Sequence, residues 1–290
     1  MKHPSLLLVG HGSRSPAGVD DYWSFAAVLR AEAPALDVGC GFIELAEPGL
    51  DAAVDSLVAG GAASVVAVPL VLLGAGHLKN DGPAALARAR RRHPGVAFHY
   101  GRHLGVHPGV LEVAQERIGE VTRPSVLADT AAVVVGRGSS DPDANADLYK
   151  VARLLSDSRG LAMAEPAFVS LAAPSVPDAL ERCRRLGAAR IAVVPYFLFT
   201  GVLVDRIADQ ADRWAREHPD VDVVVGRYLG PDPRIARLVL ERYREAVEGE
   251  VHMNCDGCVY RVAIPGYEER VGRPAPVHDH HHPDTLRERR

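Results

Sequence analysis

The chain has 290 residues, of which 47% are hydrophobic and 24% charged, with a formal net charge of −4. So many apolar residues at so low a net charge exclude a disordered chain, and a length of roughly 150 residues per domain predicts about two domains. The slight excess of acidic residues argues against nucleic-acid binding, and the lack of any run of about 18 apolar residues argues against a membrane span. Four cysteines are too few for a disulfide scaffold, so we expect a cytoplasmic protein.

The first part of the chain alternates short apolar runs with longer segments of helical period. The apolar runs, each of a length typical of a strand, lie at residues 6–9, 38–43, 65–73 and 96–100. The segments of helical period lie at residues 19–32, 50–59, 83–92 and 108–119. Continuous apolar strands that alternate with helices predict an α/β fold with doubly wound parallel sheets.

The second part of the chain repeats the first. The sequence GHGS at residues 10–13 recurs as GRGS at residues 136–139, and FIELAEP at 42–48 recurs as FVSLAAP at 168–174, both 126 positions later. One offset held over separated blocks indicates a duplication. We therefore predict two tandem doubly wound domains and a short irregular tail, at residues 1–123, 128–247 and 248–290.

Three polar residues of the first domain stand where predicted strands end. His11 follows the first strand, Glu44 ends the second and His77 follows the third. The carboxyl ends of parallel strands line the ligand crevice of an open α/β sheet, so we expect these side chains to meet. Two imidazoles and a carboxylate suit a divalent metal or acid–base chemistry. The alternative is that each histidine is structural, capping a helix or bonding to a backbone group.

The duplication provides an internal control for these three residues. The second domain keeps the glycines and prolines that shape the fold, but all three candidates are replaced. The corresponding residues are Arg137, Ser170 and either Val202 or Leu203. Their joint replacement indicates one shared site that only the first domain retains.

The glycine-rich turn at residues 10–13 does not match the known nucleotide-binding patterns. It lacks the third glycine of G-x-G-x-x-G, and the chain has no G-x-x-x-x-G-K-[ST] sequence. Ser13 follows the second glycine, so the turn is not a G-x-S-x-G nucleophile elbow either. A flavodoxin-like nucleotide or flavin binder and a serine hydrolase are therefore weak interpretations.

Three ordered blocks resemble the sirohydrochlorin chelatases, the class II chelatases of the cobalt/iron branch. They are LLVGHGSR at residues 7–14, FIELAEP at 42–48, and VPL at 68–70 followed by GHLKNDGP at 76–83. In long members of that family two chelatase-like domains are fused and only one keeps the metal ligands, which is the pattern of this sequence.

The resemblance implies insertion of Fe²⁺ or Co²⁺ into the tetrapyrrole sirohydrochlorin, with release of two protons and without ATP, for sirohaem or cobalamin. It also implies that His11 and His77 bind the metal and that Glu44 assists metal handling or removes protons. Because a coordinating imidazole must be neutral, activity is expected to fall as the pH drops through the histidine range. A non-catalytic carrier or sensor of iron, cobalt or nickel is the alternative function.

Sirohydrochlorin carries many carboxylates, so its site is expected to offer cationic and hydroxyl donors. Near the strand ends of the first domain the candidates for these donors are Ser13, Arg14, Lys79 and Arg102. Ordinary solvated charge is the alternative for the three cations. Sirohydrochlorin and a divalent metal are the expected partners. The chain could be a homodimer, or a monomer in which the duplication forms an internal pseudo-dimer.

The tail contains one C-x-x-C pair, Cys255 and Cys258, and a run of histidines at His278, His280, His281 and His282. Some long members of the resembling family carry a Met-x-Cys-x-x-Cys segment linked to an iron–sulfur centre, together with a histidine-rich stretch. The resemblance therefore implies an iron–sulfur cluster here. A Cys₂His₂ zinc site is the competing account. The histidines predict a flexible, metal-collecting tail.

Overall fold

The computed structural model describes residues 3–75, 79–158 and 160–249, and these contain two parallel four-stranded sheets. The first sheet has the order β2-β1-β3-β4 and consists of β1 (Ser5–Gly10), β2 (Val38–Phe42), β3 (Ser64–Pro69) and β4 (Ala97–Tyr100). The second has the order β6-β5-β7-β8 and consists of β5 (Thr130–Gly136), β6 (Met163–Phe168), β7 (Arg190–Pro195) and β8 (Asp222–Val225).

Helices follow the strands in both halves. In the first half these are α1 (Pro16–Glu32), α2 (Leu50–Ala59), α3 (Asp81–Arg92) and α4 (Pro108–Val121). In the second they are α5 (Pro142–Ser158), α6 (Val176–Arg185), α7 (Val202–Glu217) and α8 (Pro233–Glu248), and a short 3₁₀ helix (Pro124–Asp129) joins the halves. In the part of the chain that the structure describes, no helix is both long and apolar enough to span a membrane.

The duplicated α/β fold predicted from the sequence is confirmed. In the first sheet β1 lies between two partners, with Leu6 opposite Val38 of β2 and Val66 of β3. Its side chains are almost wholly buried because helices cover both faces of the sheet, which explains why the strand is continuously apolar.

The third strand is shorter than predicted, ending at Pro69 although the apolar run continues to residue 73. The neighbouring β4 stops at Tyr100, opposite Ala67, so later residues have no strand beside them on that side. Leu70 and Leu72 are nevertheless buried. The run stays apolar because these residues pack into the core after leaving the sheet.

The two repeats belong to one compact unit, and two buried arginines link them with matching bonds. Arg117 of α4 donates from Nε to Tyr228 O (3.2 Å) and from Nη2 to Leu229 O (3.2 Å). Arg242 of α8 donates from the same atoms to His103 O (3.1 Å) and Leu104 O (3.1 Å). Each arginine thus binds the loop after the last strand of the other repeat.

Candidate functional site

The first sheet has a topological switch point at β1, because the chain pairs β2 on one side of it and β3 on the other. Loops that leave neighbouring strands at such a point diverge and open a crevice, where ligands of open α/β sheets bind. His11 is the first residue after β1 and Glu44 lies two residues beyond the end of β2. The fold therefore positions both residues at the crevice.

His11 and Glu44 come together as the sequence predicts. His11 Nε2 lies 3.7 Å from Glu44 Oε1, and their side chains are 31% and 44% exposed. His11 Nδ1 lies 3.3 Å from Gly12 O, and in the tautomer that carries its proton on Nδ1 the lone pair of Nε2 can bind a metal ion. Two ligand atoms 3.7 Å apart can share one ion at about 2.1 Å from each, subtending an angle of about 120°.

Gly12 is what allows this approach. Its φ is 97°, and a Cβ at this position would lie 1.7 Å from Glu44 O. Glu44 N in turn donates to His11 O at 3.1 Å, which joins the first and second loops directly. The glycine-rich turn thus serves close contact between two loops, and a phosphate cradle is not needed to explain it.

The second repeat reproduces the loops without the chemical groups. Gly138 has a φ of 85°, and a Cβ there would lie 2.0 Å from Ser170 O. Ser170 N donates to Arg137 O at 3.0 Å, as Glu44 N does to His11 O. A guanidinium and a hydroxyl therefore occupy the places of the imidazole and the carboxylate.

His77 lies outside the described residues. The segment leading to it is held by two backbone bonds, Leu70 N to Val9 O (2.9 Å) and Leu104 N to Val71 O (3.0 Å). Among residues 3–75, 79–158 and 160–249, no group of three or more histidine, cysteine or acidic side chains is arranged to hold a metal ion. His11 and Glu44 are thus the two members of the predicted triad that the structure describes together.

Lys79 forms ion pairs with the second repeat. Its Nζ lies 2.6 Å from Asp141 Oδ2 and 3.4 Å from Asp143 Oδ2, at the start of α5. The hydrogen bond with Asp141 raises the pKa of Lys79 and lowers that of Asp141. The pairing was missed from sequence because the residues stand 62 positions apart and no local pattern relates them.

The other predicted donors also have defined surroundings. Arg102 Nη1 pairs with Glu245 Oε1 of α8 at 3.4 Å, in the interface between the repeats. Ser13 Oγ accepts a hydrogen bond from Ser15 N at 3.0 Å, an arrangement that Ser139 repeats in the second half. Arg14 is exposed, and it makes no ion pair with any described residue.

Two cavities lie on the first repeat. A pocket of about 360 Å³ is lined by residues 42–47 and Gly49, and therefore borders Glu44. A larger one of about 830 Å³ runs along the outer edge of β2, where Trp23, Arg30 and Cys40 line it. Only the smaller cavity adjoins the crevice at the strand ends. The predicted tail sites at Cys255, Cys258 and the four histidines lie outside the described residues.

Comparisons with known proteins agree with the duplicated architecture. The CbiX family model matches the chain twice, at residues 5–121 and 131–246. The chain is 41% identical to the sirohydrochlorin cobaltochelatase of Priestia megaterium, over 90% of this chain and 85% of that protein. It is 30% identical to the sirohydrochlorin ferrochelatase of Bacillus subtilis, over 89% of this chain and 98% of that protein.

Solved structures give the same relationship. SirB from Bacillus subtilis with Fe³⁺ has a TM-score of 0.75 and 30% identity, covering 85% of this chain and 98% of that one. The sirohydrochlorin chelatase SirB in complex with cobalt, from Bacillus subtilis subspecies spizizenii, has a TM-score of 0.72 and 30% identity, covering 85% and 96% of the two chains. These similarities extend over both repeats.

Proposed function

The chain belongs to the sirohydrochlorin chelatase family, and we propose that it inserts Fe²⁺ or Co²⁺ into sirohydrochlorin at the strand ends of its first repeat. The observation that carries the proposal is the meeting of His11 and Glu44 across 3.7 Å, in a repeat whose duplicate has Arg137 and Ser170 instead. The relatives include both a cobaltochelatase and a ferrochelatase, so we propose both Co²⁺ and Fe²⁺ as metal substrates.

The site residues have different roles in metal insertion. His11 binds the metal substrate through neutral Nε2, and His77, placed by its sequence position alone, is the second proposed imidazole ligand. Insertion breaks two pyrrole N–H bonds and forms bonds from the ring nitrogens to the metal, releasing two protons. Glu44 accepts a proton as the metal leaves the protein, since its carboxylate lies beside the metal-binding imidazole. No step requires ATP.

The charged rim of sirohydrochlorin requires donors around the crevice. Arg14 is the strongest candidate for bidentate binding of a carboxylate, because it is exposed and follows His11 by three positions, and Ser13 offers its hydroxyl between them. Lys79 and Arg102 can bind substrate only by exchanging Asp141 and Glu245 for a substrate carboxylate. We assign them that role only in this exchanged state.

The tail is proposed to collect metal, with Cys255 and Cys258 holding a zinc ion or an iron–sulfur cluster. The proposal depends on the sequence pattern alone. Replacing both cysteines by serine should remove metal that co-purifies with the protein and lower the insertion rate only at limiting metal. Equal metal content in the variant and the parent would contradict a cysteine-bound site.

Mixing the protein with sirohydrochlorin and one metal, then following the tetrapyrrole absorption spectrum, tests the function. We expect insertion faster than the uncatalysed rate without nucleotide, and competition between Fe²⁺ and Co²⁺ identifies the preferred metal. Metal binding without accelerated insertion would contradict the proposal and favour a carrier or sensor. A preference for iron favours a role in sirohaem synthesis and a preference for cobalt a role in cobalamin synthesis. We place the enzyme in the cytoplasm, as a monomer with an internal pseudo-dimer or as a homodimer.

A further inference from the structure

Two leucines adopt a backbone conformation that disfavours them. Leu45 has a φ of 64° and Leu171 a φ of 60°, and in the described part of the chain they are the only residues other than glycine with positive φ. In this left-handed region the Cβ of an L-residue crowds the following carbonyl group, so glycine or asparagine is the usual occupant. A leucine at such a position needs an explanation.

Core packing does not supply one. The side chains of Leu45 and Leu171 are 47% and 69% exposed, so neither buries enough surface to explain its place. Single exposed leucines are ordinary on protein surfaces, but these two combine exposure with an unfavourable backbone. Packing against this chain's own core therefore does not explain why leucine stands at both positions.

Comparison of the two repeats indicates that the leucines have a shared role. The two leucines occupy corresponding positions, each at the centre of a three-residue turn that is closed by a bond from Ala46 N to Glu44 O (2.9 Å) or from Ala172 N to Ser170 O (2.7 Å). The second repeat has lost the carboxylate but has kept the leucine. The leucine therefore serves a task that both repeats share, and metal binding is not that task.

Loops at the strand ends of the two repeats contact each other. Thr200 N, in the loop after β7, donates to Asp21 of α1 at 2.9 Å, and Lys79 of the first repeat pairs with Asp141, which precedes α5. Leu45 also lines the pocket of about 360 Å³ beside Glu44. A ligand held where these loops meet can therefore contact residues of both repeats.

We infer that Leu45 and Leu171 are apolar contacts for the flat macrocycle of the tetrapyrrole, one leucine from each repeat. The inference rests on the proposed function and deepens it. Tetrapyrrole chemistry fits because the ring has apolar faces and a charged rim. Leucine side chains held outward by the backbone can pack on the faces, while Arg14 and hydroxyl groups bind the rim. Glu44, adjacent to Leu45, is then next to the ring nitrogens.

Equilibrium binding of metal-free sirohydrochlorin, followed by fluorescence, tests the inference without requiring turnover. Leu45→Gly and Leu171→Gly should each raise the Kd by roughly 5- to 10-fold, the loss expected when part of a leucine's buried apolar surface is removed. Both variants should keep their Tm or raise it by up to about 2 °C, because glycine relieves the left-handed backbone while losing some chain entropy. Leu45→Met should bind like the parent.

Leu186, an exposed leucine at the end of α6 with ordinary φ, is the matched control, and Leu186→Ala should leave the Kd unchanged. A Kd that stays the same in both glycine variants would overturn the inference. A Tm that falls by more than about 4 °C would also overturn it, because the leucines would then stabilise the fold. If the parent binds sirohydrochlorin but does not insert metal, the proposed function fails while the binding result still decides the role of the leucines. A parent that does not bind sirohydrochlorin contradicts both.

Discussion

The two repeats share a frame but differ in what they carry at its functional end. Both place a glycine of positive φ against the second loop, and both use a buried arginine to bind the loop of the other repeat. Only the first has an imidazole and a carboxylate at the ends of its strands. Duplication thus preserved the parts that fold and dock the repeats, and left the chemistry to one of them.

The second repeat also contacts loops near the site. It supplies Asp141 and Asp143 to Lys79, and Thr200 to Asp21, so each repeat holds a segment of the other at the shared strand ends. A single repeat would lack those contacts and the backbone carbonyl groups that accept hydrogen bonds from the two buried interface arginines. The comparison therefore separates residues that act in only one repeat from residues that act in both.

Changing the first residue after the first strand of each repeat tests whether only the first repeat takes part in metal insertion. His11→Ala should lower the rate of metal insertion by more than about 100-fold, because losing a ligand costs more than the 10- to 100-fold that follows the loss of an outer-shell partner. Arg137→Ala should keep the insertion rate at saturating substrate. Equal losses in the absorption assay would mean that both repeats bind metal.

The next largest effect concerns the second loop. Glu44→Gln keeps the size of the side chain but removes its basicity, and should lower kcat by about 100-fold, the scale of a positioned proton acceptor. The corresponding Ser170→Ala should leave kcat unchanged. Steady-state kinetics with sirohydrochlorin and Co²⁺ make the measurement. A Glu44→Gln variant with the parent's kcat would remove the carboxylate from proton transfer.

The two interface arginines should contribute differently to the free energy of unfolding. Removing Arg242 takes away the shorter of the two ion pairs of buried Glu245, leaving Arg102 at 3.4 Å, and removes the donor to two carbonyl groups, so Arg242→Met should lower the free energy of unfolding by about 3 kcal/mol. Arg117→Met should cost less, about 1–3 kcal/mol, because Glu120 is one-third exposed and Asp232 keeps Arg234. Urea unfolding measures both, and the reverse order would contradict a buried Glu245 pair.

The smallest effect is a pH dependence at the same interface. Hydrogen bonds from Arg227, with the nearby charge of Arg117, hold the pKa of Glu120 below its ordinary value near 4.5. A depressed carboxyl pKa contributes stability above the ordinary value, and that contribution is lost as the pH falls through the depressed one. Glu120→Gln should therefore cost less than about 1 kcal/mol at pH 7, and the difference should shrink below pH 4.5.

Exposed Glu112, on the same helix and without an ion pair to any described residue, is the control for this experiment. Glu112→Gln should change the free energy of unfolding little at any pH. A Glu120→Gln difference that stays constant from pH 7 into the acid range would show that charge does not account for the contribution of Glu120.

The fold and the meeting of His11 with Glu44 could be predicted because they depend on periodicity and on strand ends, which are local features of the sequence. The repeat added a control that a single domain lacks. The partners of Lys79 and Arg102 could not be predicted, because Asp141 and Glu245 come from the other repeat, 62 and 143 positions away. The recurrence of Leu45 as Leu171 was visible in the sequence, but its backbone conformation was not.

We propose that metal chemistry belongs to the first repeat alone. Anomalous diffraction from crystals of the protein soaked in Co²⁺ tests it most directly, since the signal locates the ion. We expect a peak within coordination distance of His11 Nε2 and next to Glu44, with none between Arg137 and Ser170. A peak at the second repeat's strand ends, or full cobalt binding at the first site in the His11→Ala variant, would contradict it.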